Sequence, residues 1–120
     1  MKSMMILLAH GSSNKNWAQT FLNLTKTARQ KHQNVRLAYM ELSTPSLEEV
    51  IQEAAELGYT DISVLPLFLA KGKHLLHDIP EQLKTLENLF NIKSHLLSPI
   101  GEQPEIAAAI NQIIERKLKL

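Results

Sequence analysis

The chain alternates short, almost wholly apolar runs with longer amphipathic segments, and this alternation limits the folds that it can adopt. The first run, residues 4–9, is apolar at every position, which is typical of a strand covered on both faces. Further strands are predicted at residues 35–42, 62–68 and 92–97. Each run is followed by a segment of helical periodicity. The order βαβαβαβα predicts an α/β fold, a four-stranded parallel sheet with helices on both faces.

Helix signals accompany three of the amphipathic segments. The first helix is predicted over residues 14–31. The second is predicted to have Thr44 as its N-cap and Pro45 as its first residue, and to end at Gly58. The last is predicted to begin at Pro104. The apolar stripes of these helices are Trp17, Phe21, Leu24 and Ala28; Leu47, Val50, Ile51 and Ala54; and Ile106, Ile110, Ile113 and Ile114.

The third helix has a different signal at its start. Asp78 and Glu81 have the spacing of a capping box, which predicts that this helix begins at Ile79-Pro80 with Asp78 as its cap. Residues 70–77, which contain Gly72, are then predicted to be a loop at the end of the third strand.

Size and composition favour a small globular protein. A length of 120 residues predicts one domain, residues 1–120, and 44% hydrophobic against 21% charged residues is enough for a packed core. The formal net charge is +1, from 13 basic and 12 acidic residues, so a nucleic-acid partner is not expected. The chain contains no cysteine, which excludes disulfides, thiolate metal sites and cysteine nucleophiles.

The apolar start is interpreted as a buried strand and not as a signal peptide. His10-Gly11-Ser12 follows the run at the point where a cleavage site would need small residues. No later run is long enough to cross a membrane. We therefore expect a cytoplasmic protein with no membrane partner.

Two histidines are predicted to lie on the same rim of the sheet. Parallel sheets bind ligands at the carboxyl ends of their strands, where His10 follows strand one, Glu41 ends strand two and His74 follows strand three. A neutral imidazole binds first-row divalent metals and can accept a proton near neutral pH. The alternative is that each histidine is a loop residue that hydrogen-bonds to backbone.

Three stretches in this order resemble the CbiX-type sirohydrochlorin chelatases, in their short single-domain form. They are Leu-Leu-Ala-His-Gly-Ser at residues 7–12, Met-Glu-Leu at 40–42 with Pro-Ser-Leu-Glu-Glu at 45–49, and Pro-Leu-Phe-Leu-Ala-Lys-Gly-Lys-His-Leu-Leu-His-Asp-Ile-Pro at 66–80. The resemblance extends roughly to Leu83. It implies a chelatase-like half-domain fold, which agrees with the fold predicted from periodicity.

The resemblance also implies a function and a catalytic pair. His10 and His74 would contact the metal, while a divalent ion enters sirohydrochlorin and two pyrrole protons leave. Glu41 is a third candidate, as metal ligand or proton acceptor, or else a carboxylate that caps a loop. His77 is expected at the start of helix three, and His32 and His95 have no partner motif.

The substrate and the metal follow from the same resemblance. Ser12, Lys71, Gly72 and Lys73 are expected to bind the tetrapyrrole, with the lysines facing its carboxylates, unless the lysines are ordinary solvated charges. The metal is the substrate, cobalt, iron or nickel, and no further cofactor is expected. The pathway, whether cobalamin, siroheme or a nickel tetrapyrrole, stays open.

The remaining expectations concern the oligomeric state of the protein and the functions that compete with a chelatase. Larger relatives contain two such domains, so a homodimer is expected, with the last helix as the first place to look for its interface. The alternative function is a non-catalytic metal or tetrapyrrole carrier with the same ligands. A flavodoxin-like binding module is disfavoured, because the turn after strand one lacks a Gly-x-Gly-x-x-Gly sequence.

Overall fold

The computed structural model describes residues 2–119, except for the side chains of residues 73–76. The described residues form four strands and four α-helices in the predicted order. The strands are β1 (Ser3–Ala9), β2 (Val35–Tyr39), β3 (Asp61–Pro66) and β4 (Lys93–Leu96). The helices are α1 (Lys15–Lys31), α2 (Leu47–Glu56), α3 (Lys73–Phe90) and α4 (Pro104–Leu118), and a 3₁₀ turn (Ile100–Glu102) precedes α4.

The sheet is parallel throughout, with the strand order β2-β1-β3-β4. Strand β1 has a neighbour on each side, and Leu7 is in register with Leu37 of β2 and with Leu65 of β3. This central position explains why residues 4–9 are all apolar. The parallel arrangement also brings the loops after β1, β2 and β3 to one rim, as predicted.

Helices cover both faces of the sheet, as predicted. On one face, Ile6 and Leu8 of β1 pack with Ile51 of α2, and all three are fully buried. On the other face, Leu7 packs with Phe21 of α1. Each such aliphatic side chain stabilises the fold by roughly 1.5–3 kcal/mol when it is fully buried.

Helix α2 begins at Leu47 and not at Pro45, so the predicted Thr44 cap is wrong. The N-cap is Ser46, whose side chain accepts the N–H of Glu49 at 3.1 Å, while the carboxylate of Glu49 accepts the N–H of Ser46 at 2.9 Å. The carbonyl of Pro45 accepts the N–H of Tyr39 at 2.9 Å, which keeps the chain beside the end of β2 until Ser46. The predicted end at Gly58 is confirmed, with φ at 88°.

Helix α3 begins earlier than predicted, and the expected loop at 70–77 is correspondingly shorter. The N-cap is Gly72, so Asp78 lies inside the helix and is not its cap. Proline lacks one helix hydrogen-bond donor but does not forbid a helix around it, and Pro80 lies within α3 on an exposed side. Ile79 is buried against the sheet and holds this part of the helix in place.

Two strands end earlier than predicted, which places more residues in the rim loops. Strand β2 ends at Tyr39 instead of residue 42, and β3 ends at Pro66 instead of residue 68. Glu41 and Phe68 are therefore loop residues.

Helix α4 begins at Pro104 as predicted, but its apolar stripe is not covered. Within Pro104–Leu118 no side chain is buried. None of the helices in the described part of the chain is both long and apolar enough to span a bilayer.

Candidate active site

His10 is the first residue after β1, on the carboxyl rim of the sheet. The end of β1 is hydrogen-bonded on both sides, because the carbonyl of Ala9 accepts the N–H of Met40 at 2.9 Å and that of Leu8 accepts the N–H of Leu67 at 2.7 Å. This pairing holds His10 between the loops that follow β2 and β3. Its side chain is 53% exposed, so the imidazole is accessible to a ligand.

Gly11 allows the loop after β2 to approach His10. A Cβ atom on Gly11 would lie 1.5 Å from the carbonyl oxygen of Glu41 and 2.9 Å from the backbone nitrogen of Ser43. No side chain fits at this position without moving the backbone. The glycine of the His-Gly-Ser sequence is therefore required for packing.

The approach of the two loops brings together two of the predicted site residues. The Nδ1 atom of His10 lies 3.3 Å from Oε1 of Glu41, and the glutamate side chain is 44% exposed. A carboxylate beside one ring nitrogen orients an imidazole and leaves the other nitrogen for a metal or a proton.

Two aromatic residues beside His10 were not assigned to the site from the sequence. The ring of Phe68 lies 4.2 Å from the imidazole, centroid to centroid, at 37°. The indole N–H of Trp17 donates to the carbonyl of His10 at 2.7 Å. Trp17 was expected in the core, but 43% of it is exposed, so that expectation is wrong. Its position in the first turn of α1, a few residues after His10, was the available signal.

Ser12 contributes mainly to the shape of the turn. Its N–H donates to the hydroxyl of Ser43 at 3.1 Å, and that hydroxyl donates to the carbonyl of Ser12 at 3.0 Å. The hydroxyl of Ser12 accepts the N–H of Asn14, the N-cap of α1, at 3.0 Å. These bonds join the loops after β1 and β2.

The loop after β3 and the start of α3 carry the remaining predicted residues. Lys71 lies 3.8 Å from Glu102, and both side chains are partly exposed. A Cβ atom on Gly72 would meet none of the described atoms within 4 Å, so the described part of the rim leaves space there. Lys73 and His74 begin α3, and their side chains lie outside the part of the structure that is described.

Three further histidines lie at the end of α1, within α3 and in β4. His32 follows α1 and caps its carboxyl end. His95 belongs to β4 and lies 2.6 Å from Asp61, so it has a partner that the sequence did not reveal. His77 is exposed within α3, near its start as expected.

The described side chains alone do not form a complete metal site. Among them, no group of three or more His, Asp or Glu residues is close enough to hold one metal ion. Of the residues predicted to contact the metal, His10 and Glu41 are the two whose side chains are described, and they are in contact.

Among the described side chains, three groups have pKa values shifted from their ordinary ones. Burial raises the pKa of the Tyr39 phenol. Hydrogen bonds from Ser46 lower the pKa of Glu49, and hydrogen bonds from Ser94 lower the pKa of Glu87. Both glutamates act in helix capping or in packing, so these shifts concern stability.

Comparison with known proteins covers nearly the whole chain. The family model described as CbiX matches residues 4–117. The sirohydrochlorin cobaltochelatase of Sulfurisphaera tokodaii is 31% identical over 114 residues, which are 95% of this chain and 92% of that protein.

Two solved structures have the same fold. A CbiX protein of Marinobacter aquaeolei VT8 matches with a TM-score of 0.94 and 37% identity, over 99% of this chain and 97% of that one. The sirohydrochlorin chelatase SirB of Bacillus subtilis subspecies spizizenii, in complex with cobalt, matches with a TM-score of 0.81 and 26% identity, over 97% of this chain and 51% of that one. The chain belongs to the CbiX family.

Proposed function

We propose that this chain is a chelatase that inserts a divalent metal ion into sirohydrochlorin. The observation that carries the proposal is the exposed His10 imidazole beside Glu41 on the carboxyl rim, in a member of the CbiX family. The S. tokodaii relative is named a cobaltochelatase, and SirB was solved with cobalt. Cobalt, iron and nickel all suit imidazole ligands, and the metal is a substrate of the reaction.

The contact between His10 and Glu41 supports a division of roles between the two ring nitrogens. When Nδ1–H donates to the carboxylate, the lone pair of Nε2 is available for the metal. The carboxylate then orients the imidazole and increases its basicity. We assign His10 and His74 as the catalytic pair and Glu41 as the third metal-site residue.

The reaction also requires proton acceptors. One divalent ion replaces two pyrrole N–H protons, so two protons leave the macrocycle for each metal that enters. A neutral imidazole or the Glu41 carboxylate can take a proton and release it to water, because the His10 and Glu41 side chains are both about half exposed. Because the same residues also hold the metal, delivery of the ion and removal of the protons take place at one edge of the sheet.

The loop after β3 is the proposed substrate-binding segment. Lys71 and Lys73 would pair with substrate carboxylates, and the exposed pair of Lys71 with Glu102 is weak enough to be exchanged for such a contact. The open space at Gly72 allows a flat macrocycle to approach the backbone. Ser12, which joins the neighbouring loops, completes the proposed set.

We also propose one domain per chain, a homodimer and a cytoplasmic location. One copy supplies a single set of rim loops, whereas SirB is a chain about twice as long, of which this chain matches 51%. Two copies would supply two sets of loops to one macrocycle. Residues 4–9, the apolar run that was distinguished from a signal peptide, form the central strand and belong to the folded domain.

The test is a single-turnover assay with purified protein, sirohydrochlorin and cobalt, iron or nickel in turn, followed by absorbance. A chelatase converts the bound pair to metallated product faster than the solution reaction does. A carrier binds both components without accelerating product formation, and this result would replace the proposal by the carrier function.

A further inference from the structure

Leu42, in the loop after β2, combines two features that are unfavourable for a leucine. Its side chain is 76% exposed, although leucine is among the residues most often buried. Its φ is 62°, in the left-handed region, which a bulky side chain rarely adopts. The N–H of Ser43 also donates to the carbonyl of Glu41 at 2.8 Å. With a positive φ at the central residue, this bond forms the rare and strained type of γ-turn.

The other described residues with a positive φ end a helix or are glycine. Asn91 and Lys119 are the C-caps of α3 and α4, where a left-handed residue closes the last turn. Gly58 follows α2 and has no side chain to be strained. Leu42 ends no helix, and glycine or asparagine would adopt its backbone conformation at a lower cost. The local backbone therefore does not explain why a leucine stands at this position.

Contacts with the neighbouring loop hold the turn in this conformation. Gly11 leaves the space that the carbonyl of Glu41 occupies. Two hydrogen bonds, of 3.1 and 3.0 Å, join Ser43 to the backbone of Ser12. A strained backbone persists only where its surroundings fix it, and such positions cluster at ligand sites. Leu42 is thus held on the carboxyl rim, directly after the glutamate of the proposed metal site.

Two aromatic side chains lie near the same site. The ring of Phe68 packs on the imidazole of His10, and the exposed indole of Trp17 donates to the His10 carbonyl. Together with Leu42, they surround the site with apolar surface, whereas Lys71 lies on the loop after β3. A tetrapyrrole has two matching surfaces, which are a flat apolar ring and the carboxylates at its edge.

We propose that Leu42 is a substrate-binding residue whose side chain packs on the apolar face of the macrocycle beside the metal site. The inference rests on the proposed function, because its ligand is the substrate named there. It explains the exposure and the strain together, since the side chain gains its apolar contact only when the substrate binds. This contact adds to the pairing of lysines with the substrate carboxylates, because burial of apolar surface does not depend on charge.

Two substitutions separate a contact with the ring from a role in shaping the turn. Leu42→Asn is polar and tolerates a positive φ, whereas Leu42→Met stays apolar and keeps the strain. A contact with the ring predicts that Leu42→Asn raises the Kd for metal-free sirohydrochlorin by at least about tenfold. Leu42→Met should change the Kd by less than about threefold. A role in shaping the turn predicts the reverse order, with the asparagine variant binding better than the methionine variant.

Quenching of tryptophan fluorescence measures the binding. Trp17 is the only tryptophan of the chain and lies beside His10, so a tetrapyrrole bound at the rim should quench its emission. Leu89→Asn makes the same chemical change at an exposed leucine near the end of α3, and it should leave the Kd unchanged. Wild-type affinity in Leu42→Asn, or an equal loss in Leu42→Asn and Leu42→Met, would overturn the proposal.

Urea denaturation tests the strain in the same variants. Because asparagine relieves the cost of a positive φ, Leu42→Asn should move the urea midpoint to a higher concentration than in the wild type. Leu89→Asn should lower the midpoint, because asparagine is a poorer helix former than leucine. A change that stabilises the protein and weakens binding is expected of a residue that serves a ligand. If Leu42→Asn destabilised the protein, Leu42 would be packing within its own domain, and the proposal would be overturned.

The outcome is separable from that of the proposed function. The titrations contain no metal, so they report the contact with the ring whether or not the protein inserts an ion. A protein that binds sirohydrochlorin through Leu42 and does not metallate it would refute only the chelatase function. An active chelatase whose Leu42→Asn variant keeps its affinity would refute only the role of Leu42. A wild-type protein that does not bind sirohydrochlorin would refute both.

Discussion

The Nδ1 atom of His10 lies 3.3 Å from Oε1 of Glu41, although 31 residues separate the two in sequence. The contact exists because parallel strands β1 and β2 end side by side and because Gly11 has no side chain to separate their loops.

Replacing either proposed catalytic histidine should remove most activity without unfolding the protein. His10→Ala and His74→Ala should each lower the single-turnover rate of cobalt insertion by at least about 100-fold, the scale of a lost acid–base group. His32→Ala and His95→Ala are the controls and should retain most of the rate. Wild-type rates in both His10→Ala and His74→Ala would contradict the assignment.

Two substitutions of Glu41 should separate its possible roles. Glu41→Gln keeps an oxygen that can accept a hydrogen bond from His10 but loses the charge, whereas Glu41→Ala loses both. If the glutamate only orients the imidazole, Gln should retain most of the insertion rate and Ala should lose at least about tenfold. If the Glu41 carboxylate binds the metal or accepts a pyrrole proton, both variants should lose the insertion rate to the same extent. A cobalt titration then distinguishes the role of metal ligand from that of proton acceptor.

Adding a methyl group at Gly11 should destabilise the protein and disturb the site. Gly11→Ala forces the Glu41 carbonyl to move, and overpacking of this kind costs about 1–3 kcal/mol in the free energy of unfolding. The measurement is urea denaturation, with Gly72→Ala as the control for stability. A Cβ atom on Gly72 would meet none of the described atoms, and its φ of −94° is one that alanine adopts readily. Gly72→Ala should therefore lower the free energy of unfolding by under about 1 kcal/mol, because alanine is a poorer N-cap than glycine. Equal stabilities for the two variants would refute the packing argument.

Charge reversal on the loop after β3 should weaken binding of the tetrapyrrole more than binding of the metal. Lys71→Glu with Lys73→Glu should raise the dissociation constant for sirohydrochlorin by at least about tenfold, since charged hydrogen bonds to substrate carboxylates are lost. Cobalt affinity, measured by calorimetry, should change little. Lys84→Glu with Lys93→Glu gives the same charge change at exposed positions elsewhere. Equal effects of the two pairs on tetrapyrrole binding would exclude a specific role for the loop.

The link between α3 and β4 should make stability depend on pH. The backbone N–H and the hydroxyl of Ser94 each donate to the Glu87 carboxylate at 2.8 Å and lower its pKa below the usual 4.5. Because the pKa is lower in the folded state, this contribution is complete above about pH 4.5 and is lost as the pH falls through the folded-state value. Glu87→Gln should therefore destabilise the protein at pH 7 and flatten the decline of the unfolding free energy below pH 4.5. Glu81→Gln, at an exposed position on the same helix, is the control. If the unfolding free energy declined identically with falling pH in the wild type and in both variants, this linkage would be contradicted.

The order of elements and the two-sided core follow from local patterns, and the sequence alone was sufficient to predict them. Residues 4–9 are apolar without interruption because β1 is central, and the stripe of α2 packs as its spacing predicted. The rim position of His10 was also predictable, since it requires only that a residue directly follows a parallel strand. The caps at Thr44 and Asp78 were predicted wrongly. Before α2, the hydrogen bond from the N–H of Tyr39 to the carbonyl of Pro45 keeps the chain beside β2 until Ser46. Helix α3 begins at Gly72, which has no side chain to serve as a cap signal.

Only the tertiary structure decided which distant loops meet and which surface covers the apolar side of each helix. The Gly11–Glu41 contact, the Trp17 bond to the His10 carbonyl and the packing of Phe68 on His10 depend on how loops meet in space. The isoleucine stripe of α4 was visible in the sequence, but a stripe shows only that a helix has an apolar side. Which surface covers that side depends on the direction in which the helix leaves the domain, and here that direction is fixed by the close contact of Gly101 with the end of the β3 loop.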